Sequence, residues 1–331
     1  MPLDLFLLLP HGGDSMNTVD TPYGPLKVSG PVERFPDGGL RSCTPAGPTV
    51  FATACGPLLA QHSTDDLRRR TVQPVSFHPT GLLRALPLEQ PTAIETPAGP
   101  MNAELVTFHP DGSLCRVFPL NGKLSGLWSQ EDEGGLARPA TLDTPMGRIS
   151  ARLIGVRFDP AGALLSLTLW PGETLETPTP VGPLQARVGV SFRPDGSLRS
   201  LEPASPQRVP TPVGDVQAYD LDAVGISGDV NSLGFGPDGR VERVSTNLTQ
   251  VAASGPGDEH RLFAPELRES LCGDSESEPV PLRLEFGENE VRLRTKPDAP
   301  WTVLDLSEWT LQSEPCLLQF AMPLGRLRCA G

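Results

Sequence analysis

Hydrophobic and polar residues alternate with period two along much of this chain, and each run ends at one of two recurrent turn strings. In 184–192, Leu184, Ala186, Val188, Val190 and Phe192 fall on one side, with Gln185, Arg187, Gly189 and Ser191 on the other. Such alternation predicts a strand with one buried face. Thr179-Pro-Val-Gly182 precedes this strand and Phe192-Arg-Pro-Asp-Gly196 follows it, so 179–203 reads as one turn–strand–turn–strand unit.

Both strings recur. Thr-Pro-x-Gly begins at Thr21, Thr44, Thr96, Thr144, Thr179 and Thr211. All but Thr44 are followed by an apolar residue and then a small or apolar one two positions later: Leu26/Val28, Met101/Ala103, Ile149/Ala151, Leu184/Ala186 and Val216/Ala218. The second string starts at Phe77, Phe108, Phe158, Phe192 and Phe235, with a shortened copy at Phe35. Proline presets φ for the first turn position, aspartate caps the turn and glycine supplies the left-handed residue, which is hairpin chemistry. Residues 92–96 and 173–177 predict further short strands, giving about three strands per unit.

Two irregularities carry structural information. Met101, Ala103 and Leu105 are followed by Val106 and Phe108, and Ile149, Ala151 and Leu153 by Val156 and Phe158. A one-residue slip would turn the apolar set outward, so each slip predicts a β-bulge. Past each second turn, apolar residues stand three apart (Leu114/Val117, Leu198/Leu201, Val241/Val244), which fits either a bulge or a corner. The units are unevenly spaced, and the insertions 121–140 and 219–233 are where unit-specific features should lie.

The pattern divides the chain into a tail (1–20), a repeat domain (21–250) and a capping segment (251–331). Within the cap, 264–272 predicts a short helix, with Pro265 near its start, Leu267 and Leu271 on one face and Gly273 beyond its end. Residues 281–295 predict a hairpin around 287–289. The expected fold is all-β: irregular hairpin repeats forming an open meander or solenoid, with a closed propeller-like ring as the alternative.

Composition changes this picture little. The 38 prolines and 34 glycines are periodic, as turns require. A net charge of −13 disfavours nucleic acid and anionic membrane as partners, leaving protein as the expected partner class. Lys27, Lys123 and Lys296 are the only lysines among 27 basic residues, which matches a GC-rich genome. The six cysteines lack a CxxC pair and are expected to be reduced and mostly buried. The apolar start MPLDLFLLLP lacks the basic region and cleavage site of a signal peptide, no stretch reaches the length of a membrane span, and Met16 is an alternative start. A cytoplasmic location is expected.

The Phe-x-x-[Asp/Asn]-Gly-x-Leu core, with Asn121-Gly-Lys-Leu-Ser-Gly-Leu-Trp128, resembles the variant MORN repeats of bacterial antitoxin-like proteins. That resemblance implies hairpins built on an aromatic-x-x-Asn-Gly-Lys turn. Only 121–128 carries the fuller pattern, the unit spacing is longer than that family's, and no functional residue transfers. Phe-x-Pro-Asp-Gly is also similar to turns in TolB-like and WD-type propeller blades.

Candidate chemistry gathers in the insertions. Lys123, Trp128, Glu131, Asp132 and Glu133 bring a cation, an aromatic and carboxylates together, the raw material of glycoside hydrolysis; the simpler reading is an acidic loop with Trp128 in the core. Asp220, Asp222, Asp229 and Asn231 suggest a calcium loop, but the EF-hand order is absent, so a solvated loop is expected. His78 and His109 occupy the same turn position in consecutive copies; two imidazoles fall short of a metal site, and an exposed turn residue is expected there. Asp65, Asp66, Arg68, Arg69 and Arg70 read as a self-paired turn. No nucleophile elbow, P-loop or dinucleotide fingerprint is present. The leading expectation is a non-catalytic binding scaffold without metal or cofactor. The rival is a carbohydrate-active or metal-assisted enzyme using the 121–140 loop.

Overall fold

A computed structural model describes residues 17–65, 67–221, 223, 231–269 and 277–316. Strands dominate, and most belong to one antiparallel meander. It runs from Gly24–Arg34 through Leu40–Pro45, Val75–Phe77, Leu83–Thr96, Gly99–Phe108 and Leu114–Phe118. It continues through Gly147–Phe158, Leu164–Leu169, Leu184–Phe192, Leu198–Pro203, Leu233–Phe235 and Val241–Thr246. Leu282–Phe286, Glu290–Arg294 and Thr302–Asp305 complete it. The first and last strands do not pair with each other, so the sheet is an open meander and not a closed ring.

The Thr-Pro-x-Gly strings close hairpins as predicted. In each, the threonine hydroxyl donates to the glycine carbonyl and accepts the N–H of the intervening residue; Thr21 Oγ1 lies 2.8 Å from Gly24 O and 3.1 Å from Tyr23 N. Thr96, Thr144, Thr179 and Thr211 repeat this geometry. Thr44 does not: it lies within Leu40–Pro45, paired with Ser29. Its place is taken by Thr53-Ala-Cys-Gly56, where Thr53 makes the same two bonds without a proline. The hydroxyl and the left-handed glycine therefore define this turn more than proline does.

The second string is a hairpin closed by a type I turn and a left-handed glycine. In one copy His109 N donates to Ser113 O (2.8 Å), Gly112 N donates to His109 O (2.9 Å), and Gly112 has φ 85°. The spacing of three resolves as a bulge. Phe108 pairs with Leu114 but Thr107 pairs with Arg116, leaving Cys115 extra. The same offset follows Arg34, Phe77, Phe158, Phe192 and Phe235. Those phenylalanines from Phe77 onward are buried and share one continuous core with the hairpins' inward residues, each contributing about 1.5–3 kcal/mol.

A further bulge sits midway along each long strand, where the chain passes from its outer hairpin into the meander. In Gly147–Phe158 it falls between Leu153 and Gly155, as the slip predicts. In Gly99–Phe108 the interruption lies opposite, between Pro87 and Thr92, and the side chain brought inward is Glu104. The strand expected to alternate without a break is bulged too: register shifts between Arg187 and Val190, and Val188 has φ 58°. Gly189 is the sequence signal for it, since glycine inside a strand marks a bulge.

Successive units lock through contacts between their turns. The proline of one Thr-Pro turn covers the left-handed glycine of a later turn: Pro22 over Gly81, Pro97 over Gly162, Pro145 over Gly196 and Pro180 over Gly239. Beside these contacts, His78 Nε2 donates to Phe108 O (2.9 Å) and His109 Nε2 to Phe158 O (3.0 Å), while Arg193 donates to Phe235 O. The paired histidines thus link units through carbonyls.

Among the described residues of 251–331, one element departs from expectation. Glu266–Glu269, expected to be helical, is a strand paired with Ser277–Val280 and braced by Arg268–Glu278 at 2.8 Å. A nine-residue helix is marginal without tertiary support, and an available partner strand satisfies the same backbone groups; 270–272 lie outside the described residues. The expected hairpin is present as Leu282–Phe286 and Glu290–Arg294. The one α-helix among the described residues is Gln130–Leu136, in the first insertion. Among the described residues no helix is long and apolar enough to cross a membrane.

Candidate functional site

The first insertion is held from within. Ser129 and Asp132 form a capping box at the start of Gln130–Leu136. Serine's hydroxyl and backbone N–H hold the Asp132 carboxyl below its ordinary range. Glu133 turns inward and meets Arg68, whose Nε and Nη2 reach its two oxygens at 2.7 Å each. The same guanidinium donates to both oxygens of Glu104, at 2.9 and 2.5 Å. Trp128 Nε1 (2.7 Å) and Gly122 N (2.8 Å) complete the shell of Glu133, and Asn121 N (2.8 Å) serves Glu104. A Cβ at Gly122 would overlap the Glu133 carboxylate, so only glycine fits there.

Burial pushes the Glu133 carboxyl up, but the bonds from Arg68, Trp128 and Gly122 outweigh it and hold it below the usual range. A carboxylate pinned in this way keeps its charge, whereas a general acid must hold a proton near neutral pH. Arg68 therefore does not belong to a solvated self-paired turn; Asp65 caps that turn through the N–H groups of Leu67, Arg68 and Arg69, and Arg68 points into the interior. Trp128 is half-buried rather than a core residue. Lys123 and Glu131 are exposed, and Lys123 is tied through its backbone N–H to Arg68 O at 3.1 Å. The segment carrying the fuller MORN-like pattern forms no strand hairpin, only an isolated bridge between Ser125 and Trp128.

A second site lies beside Asp220 and Asn231 of the later insertion. A cleft of about 1290 Å³ opens on the polar face of the meander's last strands. Asp220 and Asn231 line it, while Asp222 and Asp229 lie outside the described residues. Gln130 of the first insertion reaches its edge, and Trp170, which packs on Gly134 of that helix, forms part of a wall. Described residues of both insertions singled out from sequence, Gln130 on one side and Asp220 and Asn231 on the other, thus line one cavity, together with Val188 at its positive-φ bulge. A β-branched residue in that region is strained, and such strain concentrates at functional sites.

The floor is charged. Arg187 donates to Pro203 O (3.1 Å) and Asp220 O (2.5 Å), stacks over Tyr219 at 4.6 Å and faces Glu202 at 3.7 Å. Burial raises the Glu202 carboxyl above its ordinary range, against the opposing pull of Ser232 N–H and Arg187. Beyond them stand Arg243, Glu285, Arg283 and Arg294 on neighbouring strands, with Arg283 and Arg294 directly opposite in register. Like charges so placed repel. Arg294 stacks on Trp301 at 4.5 Å, and Gly234 leaves room for Arg243. The Nε atoms of Arg243 and Arg294 are buried and lack a hydrogen-bond partner, a cost of about 1–3 kcal/mol each.

No family profile, curated protein or solved structure matches this chain.

The arginine set was missed at the sequence level, although Leu282-Arg-Leu-Glu-Phe286 and Val291-Arg-Leu-Arg294 place their charged residues on one face. Among the described residues no group of three or more His, Cys, Asp or Glu side chains could hold a metal. Cys43, Cys55, Cys115 and Cys316 are free; Cys43 is buried, and burial pushes its thiol up to about 11, away from thiolate chemistry. Cys272 and Cys329 lie outside the described residues.

Proposed function

We propose that the protein is a non-catalytic binding scaffold whose ligand or partner group enters the cleft lined by Asp220, Ala223 and Asn231. The observation that carries this reading is the place of that cavity: it opens where both insertions depart from the plain repeat. The plain units spend their polar groups on turn closure and unit-to-unit bonds. A carbohydrate-active or metal-assisted enzyme using the 121–140 loop has less support, because Glu133 is committed to Arg68 and Asp132 to a helix cap.

Ala204 lines the cleft and is half-buried, so Ala204→Trp fills the cavity from its wall. A thermal-shift screen of a metabolite and peptide library on the full chain is expected to yield compounds that raise the melting temperature of the wild type but not of Ala204→Trp, with none consumed. Stabilising compounds that act equally on both proteins, or that are chemically turned over, would refute the proposal.

A further inference from the structure

We infer that the cleft is an anion site: Arg243, Arg283 and Arg294 bind the carboxylate or phosphate oxygens of a small organic anion. This rests on the cleft being the binding site and adds the class of ligand. Three guanidiniums from three neighbouring strands face one cavity, and Arg283 stands opposite Arg294 in register. The chain has 40 acidic residues, yet among the described residues none of these three arginines forms an ion pair. The acidic groups nearby do not complete the set. Glu285 is the register partner of Arg243 and lies outside ion-pair distance of it, Glu202 faces Arg187, Glu173 is held by Arg152 at 2.5 Å, and Asp220 is the fourth acidic residue of the lining. With Glu202 set against Arg187 and Glu173 against Arg152, the lining has Glu285 and Asp220 against three guanidiniums, which leaves this part of the floor positive.

The planar fork of arginine matches carboxylate and phosphate oxygens two at a time, and its donors are already desolvated here: the Nε atoms of Arg243 and Arg294 are buried without acceptors. A bound oxyanion supplies those acceptors and relieves the repulsion between the opposed arginines. Arg294 is also held in place by its stack on Trp301, so little side-chain freedom is lost on binding. The net charge of −13 repels nucleic acid and anionic bilayers at long range, and the site is a concave cleft rather than a flat basic face. Trp170 and Trp301 give the ligand's carbon body an apolar wall.

The test is calorimetric titration of the full chain with citrate and with inorganic phosphate at low ionic strength, alongside Arg243→Gln/Arg294→Gln, the single variant Arg283→Lys, and the control Arg148→Gln at a distant exposed site. Saturable binding of at least one anion is expected in the wild type and the control, weakened about tenfold or more in the double variant. Arg283→Lys keeps the charge but loses the fork, so an intermediate loss is expected; it also decides the matter should the double variant lack the native circular dichroism spectrum. Absence of saturation with either anion up to about 10 mM overturns the inference, as does equal affinity in wild type, double variant and Arg283→Lys. Should neutral compounds still discriminate wild type from Ala204→Trp while both anions fail, the anion site falls and the binding cleft stands.

Discussion

Arg68→Met removes the one cation between two buried carboxylates. The side chains of Arg68, Glu104 and Glu133 are 12%, 2% and 6% exposed, so the clamp is dry. Its four hydrogen bonds go to Glu104 and Glu133 together. After substitution Glu104 keeps its bond from Asn121 N, and Glu133 keeps those from Trp128 Nε1 and Gly122 N, but both charges lose their counter-ion. Breaking a buried pair on one side costs about 3–5 kcal/mol, most of it the penalty of the stranded charge.

The pH dependence gives the sharper signature. In the wild type Glu133 has a folded-state pKa below its unfolded value, so its contribution is present above the unfolded pKa and is lost as pH falls through the folded one. In Arg68→Met burial acts on Glu133 without the arginine, the folded pKa moves above the unfolded value, and the sign reverses. The variant's deficit is therefore largest at neutral pH; it begins to shrink as pH falls through the variant's raised folded pKa and keeps shrinking until pH passes below the wild type's lowered one. Urea unfolding at a series of pH values, followed by circular dichroism, measures this. A deficit below about 1 kcal/mol at neutral pH, typical of an exposed pair, or one that grows toward acid pH, would refute the clamp.

Three further outcomes follow from the same geometry. Gly162→Ala and Gly147→Ala both place a side chain at positive φ (90° and 103°), but only at Gly162 does the new Cβ meet a neighbour, Pro97 Cγ at 3.1 Å. Both should lose about 1–2 kcal/mol from the backbone, with about 1–3 kcal/mol more at Gly162, and Pro97→Ala should recover only that excess; equal losses would remove the turn-to-turn lock. Glu202, whose folded pKa is raised by burial, gives stability that is complete below its unfolded pKa and is lost as pH rises through the folded one. Glu202→Gln is accordingly expected to match the wild type near pH 4 and to exceed it at neutral pH, and parallel stability profiles would contradict this. Replacing Glu131 and Asp132 by their amides should leave citrate affinity unchanged, and a large loss of affinity would move the site back to the first insertion.

Much of the fold is written in short-range chemistry. The Thr-Pro-x-Gly and Phe-x-Pro-Asp-Gly turns, the alternating strands and the bulge in Gly147–Phe158 depend on residues close in sequence, and all are legible there. Thr53 escaped notice because Ala54 replaces proline, and Thr44 misled because its string sits in a strand paired with Ser29. The strand at Glu266–Glu269 depends on a partner strand beyond its own sequence, and local propensity pointed to a helix instead. The site was half legible. Asp220, Asn231 and the edge at Gln130 were reached through the insertions, since an interruption of a repeat is visible without a structure. Arg68, Glu104 and Glu133 are brought together across 65 residues, and Arg243 reaches Arg283 and Arg294 only through strand order. No local pattern encodes either meeting.

On the proposed reading, recognition occurs at the arginine-floored cleft and the repeat turns serve architecture. Hydrogen–deuterium exchange over the whole chain, with and without saturating citrate, separates these two roles. Added protection is expected in Leu198–Pro203, Val241–Thr246, Leu282–Phe286 and Glu290–Arg294, with the Thr-Pro-x-Gly turns and Gln130–Leu136 unchanged. Protection centred on the 121–133 loop or on the turns, with those four strands unaltered, would contradict it.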